Sequence, residues 1–135
     1  MDTHRSEGYR TMGLDLSESS NCIAVNRSLI MAFGLHAAVM VGELASEAKC
    51  WKESGLLSDG WFFMTVERIE RDTSLGERAQ RSAIETLKKH GILEVAYRGL
   101  PRKRCFRINC MAIIQAIAEI DELETDDGGA RCSTR

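Results

Sequence analysis

The stretch SLGERAQRSAIETLKKHGILEVAYRGLPRKRCFRI, residues 74–108, decides the fold. Its first half repeats apolar residues at the spacing of one helix face, and Gly91 is typical of a residue that ends a helix. The spacing predicts a helix over residues 75–90, and the S-x-x-E pattern of Ser74 and Glu77 predicts a capping box at its start. The apolar positions of this face are Ala79, Ala83, Ile84 and Leu87.

The second half of the stretch predicts a β-hairpin. Residues 92–97 and 104–108 alternate between apolar and polar side chains, as half-buried strands do. Gly99 and Pro101 lie between the two runs and are typical turn residues. The hairpin therefore has a basic tip, formed by Arg102, Lys103 and Arg104.

The residues on either side of this stretch predict four more helices and one short strand. Asn26 caps a short helix that Gly34 ends, and Thr65 caps another that ends near residue 73. Between them, residues 61–64 form an aromatic-rich strand. The apolar faces of the other two helices are Ala37, Met40, Val41, Leu44, Ala48 and Trp51 in the first, and Ile113, Ile117 and Ile120 in the second, over residues 110–123.

Length and composition indicate one domain. The chain has 135 residues, of which 44% are hydrophobic and 28% charged. We expect the domain to span residues 21–123, between a disordered N-terminal tail of residues 1–20 and a disordered acidic C-terminal tail of residues 124–135. Because no stretch resembles a membrane span or a signal peptide, we expect a cytoplasmic protein without a membrane partner. Five cysteines without a CxxC pair indicate reduced thiols.

The order of the elements is helix, helix, strand, helix, turn, helix, hairpin, helix. This order predicts a mainly helical α+β fold of the winged helix-turn-helix class, with residues 75–90 as recognition helix, residues 98–104 as wing and residues 110–123 as an additional C-terminal helix. In such a fold the recognition helix enters the major groove of duplex DNA, which is about 12 Å wide. The wing lies on the adjacent backbone or minor groove.

Charge is unevenly distributed along the chain. The whole chain carries a formal net charge of −2, but residues 68–107 contain eleven Lys and Arg against five acids. This segment is therefore +6, and the remainder of the chain is −8. A basic surface on an otherwise acidic protein is typical of a protein that neutralises phosphates.

Three stretches resemble a group of small winged-helix proteins carried by phages, plasmids and conjugative elements of Gram-positive bacteria. They are VNRSLIMAFGLHAAVMVGELA, SDGWFFMTVERIERDTSLGERAQRSAIETLKKHGILEV and RGLPRKRCFRIN, and the similarity spans residues 22–118. Its most specific features are the Gln-Arg pair in the predicted recognition helix, residues 75–90, and the Gly-x-Pro-x-x-Arg wing. The resemblance implies DNA binding in the replication initiation or transcription regulation of a mobile element.

Candidate double-stranded DNA contacts lie on the helix pair and the hairpin. Gln80 sits beside the apolar stripe, where it either reads an adenine or caps the core. For Glu77 the capping-box role is favoured over a contact with cytosine. For Thr65 and Ser74 the role of helix cap is favoured over a contact with phosphate. The complete set of candidate contacts is Thr65, Ser74, Arg78, Gln80, Arg81, Ser82, Glu85, Arg98, Arg102, Lys103 and Arg104.

An enzyme is not indicated. His4, His36 and His90 are scattered, and no metal-ligand spacing, phosphate-binding loop or carboxylate pair emerges, so we expect no catalytic residue, metal or cofactor. Two interpretations stay open: duplex DNA binding, or an interaction module of a replication or regulatory complex that meets an acidic protein or RNA. A homodimer is compatible with both, through Met40, Trp51 or the last helix.

Overall fold

The computed structural model describes residues 21–126 as a mainly helical α+β protein with a small antiparallel sheet. The helices are α1 Arg27–Phe33, α2 Leu35–Glu53, α3 Val66–Thr73, α4 Glu77–Lys89 and α5 Cys110–Asp126. The strands are β1 Trp61–Phe63, β2 Leu93–Arg98 and β3 Lys103–Ile108. The predicted tail of residues 1–20 lies outside the described residues, as do residues 127–135, whereas α5 continues three residues beyond its predicted end.

Helix α2 lies at the centre of the packing, against α1, α3, α4 and the sheet. Its predicted apolar face is confirmed, because Ala37, Met40, Val41 and Leu44 are buried and Ala48 and Trp51 pack against the same core. Met40 is fully buried and therefore cannot form the dimer contact predicted for it. Trp51 and the α5 residues Ile113 and Ile117 also pack against this chain's own core.

The three strands form one antiparallel sheet in the order β1-β3-β2, so the predicted hairpin and the short strand meet at β3. Phe106 of β3 pairs with Phe62 on one side and Val95 on the other. The rings of Phe62 and Phe106 are buried, with centroids 6.0 Å apart. This inner face packs onto the helices, and the opposite face carries Trp61, Phe63 and Arg107.

Both predicted side-chain N-caps of the short helices are confirmed. The Oδ1 atom of Asn26 accepts a hydrogen bond from the Leu29 N–H at 3.1 Å, and Thr65 Oγ1 accepts one from the Arg68 N–H at 3.0 Å. Gly34 ends α1 at a φ of +95°, a conformation that favours glycine. The periodic pattern and the caps together therefore position the first and third helices as expected.

The capping box predicted for the start of α4 is wrong. Ser74 adopts a left-handed conformation, with φ +65°, and ends α3, while Gly76 occupies the N-cap of α4 without a side-chain hydrogen bond. Thr73 supplies the local hydrogen bonds instead, because its hydroxyl donates to Ile69 O at 2.6 Å and accepts from the Leu75 N–H at 3.1 Å. Ser74 forms the tight turn between α3 and α4 through its left-handed backbone, and the Ser74 side chain does not cap α4.

A polar network joins α3 to α2. The Arg68 guanidinium donates two hydrogen bonds of 2.8 Å to the carboxylate of Glu47, which also accepts from Trp51 Nε1 at 3.0 Å. Next to this pair, Glu43 is buried and shares a hydrogen bond with Asp72. Burial, followed by this contact with Asp72, raises the pKa of Glu43 to about 7.

This raised pKa predicts a pH-dependent stability. Glu43 takes up its proton more readily in the folded chain than in the unfolded one, so its contribution to stability is present below about pH 4.5 and is lost as the pH rises through about 7. Glu43→Gln should remove this loss, so that urea unfolding at about pH 5 and about pH 8 gives closer free energies than in the wild type. Glu53→Gln, at an exposed site of the same helix, should keep the wild-type difference. Equal pH dependence in all three proteins would contradict the assignment.

Candidate functional site

A groove with a volume of about 770 Å³ lies between α4 and the β2–β3 hairpin. The first residues of α3 and the exposed side of α4 form one wall, and side chains of the three strands and the hairpin tip form the other. The groove brings together residues that are far apart in the sequence. The predicted site residues that line it are Thr65, Arg81, Glu85, Arg102, Lys103 and Arg104.

Helix α4 presents its charged side chains to solvent because its apolar residues face the core. Ala83, Ile84 and Leu87 are buried. Arg78 and Ser82 line a second, more open depression of about 690 Å³ on the outer side of the helix, outside the main groove. The predicted α4 contacts are thus divided between two surfaces, and Arg81 and Glu85 line both.

The cations of α4 on the groove side are paired within the helix. Arg81 Nη2 lies 3.2 Å from Glu77 Oε2, and Lys88 Nζ lies 3.6 Å from Glu85 Oε2. Both pairs are exposed to water, which screens them strongly, so their contribution to stability is small. A polyanion can therefore compete with Glu77 and Glu85 for these two cations.

The hairpin cations rest on aromatic rings. The guanidinium of Arg102 lies 4.5 Å from the ring centroid of Tyr97, and Lys103 Nζ lies 4.5 Å from that of Phe63. Neither cation forms an ion pair with a carboxylate of residues 21–123, where side chains are described. A ring face attracts a cation without neutralising its charge. Both charges therefore remain available at the edge of the groove.

Gln80 takes the structural role rather than the adenine-reading role. Its side chain is fully buried, and its amide nitrogen donates to Val66 O at 3.0 Å and to Leu75 O at 2.8 Å. Its amide oxygen accepts a hydrogen bond of 3.0 Å from Arg104 Nη2. The candidate DNA contact at Gln80 is therefore corrected, because a side chain without accessible surface cannot meet a base edge.

Arg104 differs from the free tip cation that the sequence predicts. Its side chain points inward, bonds to Gln80 and is half-buried, with the guanidinium 5.0 Å from the Phe106 ring centroid. Desolvation lowers the pKa of Arg104 from its ordinary value. Its Nε is buried and has no hydrogen-bond partner among the described residues. Arg104 is therefore a cation on the floor of the groove, and it fixes the hairpin to α4.

Arg98 lies away from the groove. Its guanidinium is 4.4 Å from the Trp61 ring centroid, on the opposite face of the sheet. On the same face Arg107 binds Glu94 at 2.9 Å and Asp59 at 3.2 Å. Lys103 pairs directly with Arg98 across the hairpin and lies over Phe63 of this same face, so the hairpin cations are divided between the two faces of the sheet. Lys103 still lines the edge of the groove, whereas Arg98 does not.

The two predicted helix-end contacts also separate. Thr65 is exposed at the start of α3 and lines the groove. Ser74 lies in the turn between α3 and α4, and its side chain does not line the groove. Only Thr65 therefore stands beside the cations of α4 and the hairpin.

Among the groove residues that were not sequence candidates, three contribute to its cationic surface: Phe63, Lys88 and Tyr97. Lys88 lies two turns after Arg81 on α4, so helical spacing alone could have identified it. Tyr97 and Phe63 support the hairpin cations, but their partners lie on neighbouring positions or strands that the linear sequence does not pair.

Within residues 21–126, no group of three or more His, Cys, Asp or Glu could hold a metal ion. Cys50, Cys105 and Cys110 are free thiols. None of the helices in this part of the chain is long and apolar enough to cross a membrane. Comparison of the chain with known protein families, curated proteins and solved structures finds no match.

The hydrogen bonds of Gln80 predict that replacing it by an apolar side chain of similar volume lowers the stability of the fold considerably. Gln80→Leu leaves two carbonyl groups and the Arg104 guanidinium without their partner, so it should lower the free energy of unfolding by at least about 2 kcal/mol in urea denaturation. Ser82→Ala, an exposed polar change on the same helix, should alter it by less than about 0.5 kcal/mol. Arg104→Met should cost less in the Gln80→Leu background than alone. Additive losses would show that the two side chains do not interact.

Proposed function

We propose that this protein binds double-stranded DNA as a winged helix-turn-helix protein, with α4 in the major groove and the β2–β3 hairpin as the wing. The order α2-β1-α3-α4-β2-β3 supports this class, as does the pairing of β3 with β1. The observation that carries the proposal is the groove whose two walls both bear cations, Arg81 and Lys88 from the helix and Arg102 and Lys103 from the hairpin.

The arrangement suits a polyanion with a helical surface. Helix α4 exposes a polar face that fits a major groove about 12 Å wide, while the hairpin projects from beside it toward the neighbouring backbone. Arg102 and Lys103 are positioned by aromatic rings and keep their charge. Phosphate contacts of this kind supply affinity and orientation, and base contacts from α4 supply sequence preference.

The biological setting rests on the sequence resemblance. The Gln-Arg pair of α4 and the Gly-x-Pro-x-x-Arg hairpin connect the chain with winged-helix proteins of phages, plasmids and conjugative elements. We therefore include replication initiation or transcription regulation of a mobile element in the proposal, with a replication or regulatory protein as a further partner.

Removing the two exposed hairpin charges should weaken DNA binding and its salt dependence together. In fluorescence anisotropy with a mixed-sequence duplex of about three helical turns, the pair Arg102→Ala and Lys103→Ala should reduce the slope of log K against log salt by about two. The matched control is Lys49→Ala with Lys52→Ala, which removes the same charge from the exposed side of α2 and should keep the wild-type slope. Equal slopes in all three proteins would remove the hairpin from the interface.

Arg81 should contribute to sequence preference, since it lines both surfaces of α4. On a duplex selected for tight binding, Arg81→Ala should cost about 1–3 kcal/mol if the guanidinium bonds a base edge. On random duplex the loss should be much smaller, which provides the internal control. Equal losses on both duplexes would make Arg81 a phosphate contact. A folded wild type that binds no duplex even at low salt would favour the acidic-protein interface instead.

A further inference from the structure

The hairpin ends in an apolar tip that no residue of the described part of the chain, residues 21–126, covers. Residues 99–102 form the turn, where Gly99 has a φ of +86°. Leu100 is 101% exposed, whereas the other exposed large hydrophobic side chains described here reach at most 72%. The next residue, Pro101, is also exposed. Two neighbouring apolar residues, one of them fully exposed, therefore lie at the most distant point of the hairpin.

The chemistry around this tip is strongly cationic. No acidic residue occurs between Val95 and Ala118 in the sequence. Arg102 and Lys103 follow the tip directly, and Arg98 precedes it. A surface that receives Leu100 must therefore offer apolar contacts within an anionic environment.

An anionic lipid surface, an acidic protein surface and a nucleic acid all have that chemistry. Membrane attachment needs a larger buried apolar face or a lipid anchor, and the tip offers only Leu100 and Pro101. The same hairpin also forms a wall of the groove on which the proposed function depends. Continuity with that interface favours DNA as the partner of the tip.

The dimensions of the hairpin fit a minor groove. Each strand has six residues and spans about 20 Å. The turn of residues 99–102 projects past Arg104, the second residue of β3, which holds the hairpin to α4. The minor groove is about 6 Å wide, which admits side chains of a narrow turn but excludes a helix. Leucine and proline side chains are among those that enter between base pairs from this side, partly unstack them and bend the duplex.

We propose that Leu100, supported by Pro101, inserts at a base step from the minor groove and bends the bound DNA. The inference rests on the proposed function, since it requires a hairpin already held on duplex DNA by Arg102 and Lys103. Pyrimidine–purine steps unstack most easily, so the insertion favours a TA step. Leu100 thereby adds a preference for DNA sequence that does not depend on hydrogen bonds to the bases.

Leu100→Ser tests the insertion without changing charge. The duplex carries 2-aminopurine at a central TA step and a fluorophore at each end, so unstacking raises the emission of the base and bending raises energy transfer. The wild type should raise both signals. Leu100→Ser should lose both and bind this duplex about tenfold more weakly, with an unchanged salt slope because no cation is removed.

Two further variants separate insertion from general effects. Leu100→Met keeps an apolar side chain of similar volume and should restore both signals. Leu56→Ser, at a site that is 62% exposed after α2, should behave as the wild type. Both serine variants should unfold at the wild-type urea concentration, since neither side chain is buried.

The outcomes distinguish the two proposals. If every variant binds DNA in a salt-dependent way and Leu100→Ser bends it as the wild type does, the insertion is overturned. The proposed function then remains intact. No duplex binding by the wild type at low salt would overturn both. Binding to vesicles of mixed anionic and neutral phospholipid that only Leu100→Ser loses, with unchanged DNA signals, would assign the tip to a membrane surface and overturn the insertion.

Discussion

One buried amide connects the parts of the structure that form the groove. The side chain of Gln80 donates to Val66 O of α3 and Leu75 O of the turn, and it accepts from Arg104 of the hairpin. This combination requires two donors and one acceptor, which only Asn or Gln offers in one group. A glutamate would neutralise Arg104 and lose the donors, and a leucine would remove all three hydrogen bonds. The neutral amide therefore fixes the hairpin while the guanidinium keeps its charge.

Only part of the +6 charge of residues 68–107 is free to interact with a ligand, because some of its cations are paired with carboxylates. Arg68 is bound to Glu47, an acid outside the segment, and Arg107 is bound to Glu94 and Asp59 on the outer face of the sheet. These arginines connect structural elements, so their charge is largely compensated. The hairpin cations instead lie on aromatic rings, which orient a cation without compensating it. The uncompensated charge is thus concentrated at the turn end of the hairpin, in Arg98, Arg102 and Lys103.

Local patterns in the sequence predicted most of the fold, and long-range contacts account for what they missed. Helical spacing identified the buried faces of α2 and α4, and alternation identified the hairpin, because both are properties of consecutive residues. The burial of Gln80 depends on Val66 O and on Arg104, which lie fourteen and twenty-four positions away. The S-x-x-E pattern at Ser74 failed for a different reason, since the same letters fit a cap or a left-handed turn and only the packing of α3 against α4 selects the turn. The sequence therefore predicted which helix and hairpin form the candidate site. It did not predict that the side chain of Arg104 points inward.

The fixed strands of the hairpin also explain how a free tip can act. The pairing of β3 with β1 and β2 stiffens the hairpin, and Arg104, the second residue of β3, holds it to α4 close to the turn. The tip therefore keeps a defined direction relative to α4 although Leu100 itself is fully exposed. In the proposed complex of α4 with duplex DNA, little further conformational entropy would be lost in bringing the tip to the DNA, because the hairpin is already ordered by folding. A rigid hairpin thus lets a small apolar contact at the tip contribute to binding, which a flexible loop of the same sequence would not achieve.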